Sequence, residues 1–79
     1  MATTINTAFP ADALRVQFSR RLRALRRDSG VTQMELSAST GLSQGYLSRL
    51  ERGTCEPSLS QLAVIADALG VHPSELLSE

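Results

Sequence analysis

Between Gln44 and Arg52 the chain carries a carboxamide, a phenol, a hydroxyl and two guanidiniums, on Gln44, Tyr46, Ser48, Arg49 and Arg52. All of these groups hydrogen-bond and none is paired in sequence with a general base, so the chemistry they offer is reversible recognition of polar edges. The rest of the chain supplies little for catalysis. His72 and Cys55 are the single histidine and the single cysteine, and the sequence has no glycine-rich phosphate loop, no paired carboxylates and no Cys/His set with metal-ligand spacing. It therefore predicts no enzyme, no cofactor, no metal site and no small-molecule ligand. Cys55 reads as a loop thiol, and His72 as a helix cap or surface residue.

Recognition groups must be held on one side of something. At about 100° per residue, Leu47, Leu50 and Glu51 fall together on a helix, with Gly45, Ser48, Arg49 and Arg52 opposite and Gln44 and Tyr46 at the borders. Ser43 can cap that helix and Gly53 can end it. Thr32 and Glu35 form a capping box for a preceding helix, where Leu36 points inward until Gly41 stops it. Ahead of it, Leu14, Phe18, Leu22 and Leu25 recur at intervals of three and four from Asp12 to Asp28, and Gly30 follows. Beyond "GTCEP", Pro57 keeps the chain out of helix and Ser58 offers a cap. Leu59, Leu62, Ala63, Ala66 and Leu69 then form one apolar stripe, and "HPSELL" places Pro73 in the first turn of a fifth helix with Leu76 and Leu77 folding back. The expected fold is all-α, five helices joined by short loops, over residues 11–79, with residues 1–10 as a flexible N-terminal tail.

A chain of 79 residues holds one small domain. No apolar run approaches the length that spans a bilayer, and "MATTINTAFP" lacks the basic start and apolar centre of a secretion signal. With a lone cysteine, this predicts a cytoplasmic protein with no membrane partner. Net charge is zero but unevenly placed. Residues 1–52 hold all eight bases, every one an arginine, against Asp12, Asp28, Glu35 and Glu51, while residues 53–79 hold four acids and no base. Arginine's flat, permanently charged fork suits phosphate and guanine edges, so the first half is fitted to a polyanion. Six arginines between residues 15 and 27 have no acid among them. They raise the local potential, and one or two are expected near phosphates.

The order of helix start, glycine turn, serine cap and "LSRLERG" resembles the helix-turn-helix of the phage repressor and Cro class, the XRE family. The matching residues are Arg26, Gly30, Gln33, Leu36, Gly41, Ser43, Leu47, Leu50, Glu51, Gly53, Pro57, Leu62, Ala66, Leu69 and Leu76, and the likeness runs from Phe18 to Leu77. It implies a compact lambda-repressor-like DNA-binding domain, with helices 2 and 3 as the helix-turn-helix and helix 3 in the major groove. Gln44 then faces an adenine, Arg49 a guanine, Tyr46 a thymine methyl or a phosphate, and Ser48 either kind of base. Gln33 matches a phosphate-binding position from which it can also brace Gln44. Arg52 reaches phosphate, and Ser43 is a cap first and a phosphate contact second. Arg26 and Glu51 match a structural ion pair inside the fold. Gly45 departs from the pattern by removing one base reader. Ser37 replaces the usual alanine, and its hydroxyl must find a partner.

Among such proteins the chain most resembles the small controller proteins of restriction-modification systems. The likeness implies a transcriptional regulator acting as a homodimer on a palindromic double-stranded operator. Val64, Ala68, Val71 and Leu77 are the candidate dimer contacts. The alternative is an antitoxin, which would bind both DNA and a toxin protein through its tail or acidic second half.

Overall fold

The computed structural model describes residues 10–78, so the expected tail, apart from Pro10, lies outside the described residues. Four α-helices follow one another: α1 (Ala11–Asp28), α2 (Gln33–Thr40), α3 (Gln44–Arg52) and α4 (Leu59–Leu69). The fifth expected helix is instead a single 3-10 turn, Pro73–Leu76. Four residues are too few to establish an α-helical ladder, and the tighter i to i+3 bond suits so short a piece. His72 caps this turn, its Nδ1 accepting the Ser74 N–H at 3.1 Å. No strand occurs among the described residues.

Helix boundaries follow local chemistry. The side chain of Thr32 accepts the Glu35 N–H while Glu35 accepts the Thr32 N–H, and Ser58 and Gln61 repeat this exchange at the start of α4. Gly41 ends α2 at φ +77°, a left-handed conformation that a Cβ disfavours, and the chain turns directly into α3. The Ser37 hydroxyl finds its partner across that turn, donating to the Leu42 carbonyl. Gly53 ends α3 at φ +75°, where the Gly53 N–H bonds Leu50 O and the Thr54 N–H bonds Arg49 O. A Cβ at Gly53 would also stand 3.4 Å from Ser19 Oγ, so α3 closes on α1 where both chains are small.

Phe18, Leu22, Leu36, Leu47, Leu50, Leu62, Ile65, Ala66, Leu69 and Leu76 form the core. Burial of such side chains contributes roughly 1.5–3 kcal/mol each, which is how a small domain offsets its chain entropy. The stripe on α4 is shifted from its expected line. Ile65 is fully buried, while Leu59 is 84% exposed and Ala63 is exposed. Leu62, Ile65, Ala66 and Leu69 hold the i, i+3, i+4, i+7 pattern, and Leu59, the first residue of the helix, stays at the surface. Leu14, near the opposite end of α1, is likewise exposed and Leu25 only half-buried. The last turn is tied back to α1, where Arg21 Nε donates to Glu75 O at 2.8 Å and the Gln17 amide to Leu77 O.

Candidate functional site

Two sides of α3 differ sharply. Leu47 and Leu50 are fully buried and Glu51 is 4% exposed, whereas Gln44, Gly45, Arg49 and Arg52 are exposed and Ser48 is half-buried. Ser43 Oγ accepts the Tyr46 N–H at 3.1 Å and so caps the helix. On the outer face Arg52 Nη1 donates to Ser48 Oγ at 2.6 Å. That contact fills one acceptor site on the hydroxyl and leaves its proton to be donated outward. The face therefore offers an exposed carboxamide, a hydroxyl donor and two guanidiniums across two helical turns.

The inner side is an electrostatic lock. Arg26 on α1 grips the Glu51 carboxylate through both forks, Nε to Oε2 at 2.5 Å and Nη2 to Oε1 at 3.0 Å, while its Nη1 bonds Val31 O at 2.9 Å. Gln33 Nε2 adds 3.1 Å to Oε1 from α2. Burial pushes the Glu51 carboxyl up, but hydrogen bonds from Arg26 and Gln33 and the charges of Arg26 and Arg23 outweigh it, so the group sits below the usual carboxylate range. The Glu51 hydrogen bond in turn raises Arg26. α3's terminal carbonyls are captured too, by Arg23 Nη2 on Glu51 O and Arg15 Nε on Gly53 O, each at 2.8 Å. A cation at the negative end of a helix is favourable.

Three placements depart from the sequence expectations. Gln33, matched to a phosphate-binding position from which it could also brace Gln44, is half-buried and donates to Glu51, because an ionised, desolvated carboxylate is a strong acceptor. Tyr46, expected to turn toward a duplex, is packed against the core, and its hydroxyl donates to Gln61 Oε1 on α4 at 2.7 Å. Its border position left either side open, and Gln61 supplies the partner that a half-buried phenol requires. Of the four residues read as one apolar interface, Ala68 and Val71 are half-buried against the core, while Val64 is 42% and Leu77 37% exposed. Leu77 lines a small groove with Leu14, Phe18, Pro57, Leu59 and Leu62, and Val64 is not part of that lining. Gln61 was missed in the sequence, although Ser58-x-x-Gln61 carries the capping-box signature that marks it.

No helix among the described residues is long and apolar enough to cross a membrane. The model of a family described as a helix-turn-helix domain matches residues 17–78. An uncharacterised helix-turn-helix-type transcriptional regulator of Sinorhizobium fredii is 50% identical over 54 residues, covering 68% of this chain and 70% of that protein. The immunity repressor of Bacillus phage phi105 is 39% identical over 59 residues, 75% of this chain but only 41% of the repressor. Among solved structures, the restriction-modification controller protein C.AhdI from Aeromonas hydrophila superposes with a TM-score of 0.76 at 39% identity, over 78% of this chain and 94% of that one.

Proposed function

Because the chain belongs to the DNA-binding helix-turn-helix family of transcriptional regulators, the class of the phage repressors and Cro, we propose that it reads a specific duplex operator with α3 in the major groove. The observation that carries this reading is the two-sidedness of α3: leucines and a locked glutamate inside, and Gln44, Ser48, Arg49 and Arg52 outside. An α-helix fits the major groove, where a carboxamide can bond adenine N6 and N7 together and a guanidinium guanine O6 and N7. Gln44 and Arg49 are the base readers, and Ser48 donates to an acceptor on a base edge. Arg52, Ser43 and Gln33 face the phosphates. Gln33 does so with the one amide hydrogen that Glu51 leaves it.

Selection of bound duplexes from a random pool tests the reading. A defined motif is expected, and retention of all sequences equally, even in dilute salt, would end it. Gln44→Ala and Arg49→Ala should each cost about 1–3 kcal/mol on the selected site and relax preference at one base pair. Arg52→Ala should weaken all duplexes alike. These outcomes are read by competition binding at fixed salt.

One half-site discriminates little, so the protein works as a homodimer on a palindromic site, in the cytoplasm, in the manner of a small controller protein. Of the four candidate contacts, Val64 and Leu77 are the exposed ones, while Ala68 and Val71 are half-buried. Sedimentation of Val64→Asp should give monomers where the parent gives dimers, and intact dimers in the variant would discard Val64. No described contact and none of the relatives named above favours the antitoxin alternative.

A further inference from the structure

Tyr46 sits at the N-terminal end of α3, yet its hydroxyl is committed within the protein, donating to Gln61 Oε1 at 2.7 Å with Glu56 O at 3.4 Å beyond it. Gln61 is itself fixed. The same Oε1 accepts the Ser58 N–H at 2.9 Å, and Ser58 Oγ accepts the Gln61 N–H at 3.1 Å. The phenol ring is therefore tethered to the first turn of α4. Three residues further along α3, Arg49 places its guanidinium carbon 5.7 Å from the centroid of that ring. A guanidinium at this distance over an aromatic face is attracted by the ring quadrupole. An exposed arginine without such a rest samples many rotamers and loses that freedom on ordering.

We propose that Tyr46 is a positioning residue for Arg49: a ring anchored on α4 that holds the guanidinium where it reads a base edge. The proposal rests on the reading of Arg49 as a base contact. It gives Tyr46 a part in specificity while the residue itself touches no nucleic acid.

The test uses the full chain and its selected duplex, with single-base-pair substitutions measured in competition at fixed salt. Arg49→Ala first identifies the base pair at which preference collapses. Tyr46→Leu is expected to reduce preference at that same base pair by roughly two- to fivefold, leave the other positions unchanged, and have no further effect when added to Arg49→Ala. Tyr46→Phe keeps the ring and the packing while cutting the tether, and should fall between the parent and Tyr46→Leu. Thermal unfolding of each variant checks that it is folded in the assay, and Tyr46→Phe carries the test alone should Tyr46→Leu unfold.

A loss spread evenly over all duplexes with a shallower salt dependence would overturn the proposal, since it makes Tyr46 a phosphate contact. A loss at a different base pair would do so too, making Tyr46 a reader in its own right. An unchanged profile in folded Tyr46→Phe overturns the tether. If Arg49→Ala alters no base preference while Gln44→Ala does, the assignment of Arg49 has failed and the positioning role falls with it, whereas loss of sequence preference in the parent protein itself is failure of the operator reading.

Discussion

Glu51→Ala is expected to lower the free energy of unfolding by about 3–5 kcal/mol, a large part of what a small domain possesses. The carboxylate side chain is 3% exposed and that of its partner Arg26 12% exposed, so removing the acid strands a guanidinium that water cannot reach well. It also releases Gln33 from α2, and three helices lose their shared fastening. Chemical denaturation measures the effect as a shift in midpoint at unchanged slope, and a loss under about 1 kcal/mol would show the pair to be solvated after all. Acid should reproduce part of the effect. The folded Glu51 carboxyl lies below its ordinary value, so its contribution is fully present above the unfolded value of about 4.3 and is lost as the pH falls through the folded one. Glu51→Ala should lack that portion of the acid sensitivity.

Leu47→Ala should cost about 2–5 kcal/mol, through a different route. Leu47 is fully buried in the core beneath the face of α3 that we assign to the duplex. Truncation leaves a cavity in a molecule with few core residues to collapse into it. The protein that remains folded should keep its base preference, because the residues we propose as readers are on the opposite side of the helix. Denaturant titration and competition binding together make the distinction: lost stability with an intact preference profile in Leu47→Ala, against intact stability with a relaxed profile in Arg49→Ala. A Leu47→Ala variant with altered preference but full stability would mean that the helix is turned the other way.

Much of this architecture is written locally. Ser43, Ser58 and the Thr32/Glu35 pair mark helix starts, and Gly41 and Gly53 mark ends, because each acts on backbone groups within a few residues of itself. The spacing of Phe18 and Leu22, and of Leu47 and Leu50, likewise places them inside. What was not legible depends on distant neighbours. Leu14 and Leu59 fit helical stripes but lie near helix ends, where the described residues leave them exposed. Tyr46 sits at a border, and the choice of side is made by Gln61, 15 residues away. Gln33 is drawn inward by a carboxylate 18 residues on. The last turn is 3-10, a matter of length and of bonds back to α1 that no local pattern encodes.

α3 is fastened at both extremities, to α1 by the arginines that hold its final carbonyls and the Glu51 side chain, and to α4 by the hydroxyl of Tyr46. On the proposed reading, such a rod would reach a groove in its final pose. The configurational freedom that a looser segment surrenders upon association has already been given up during folding, so encounter demands little further ordering of the backbone and approaches a rigid-body event.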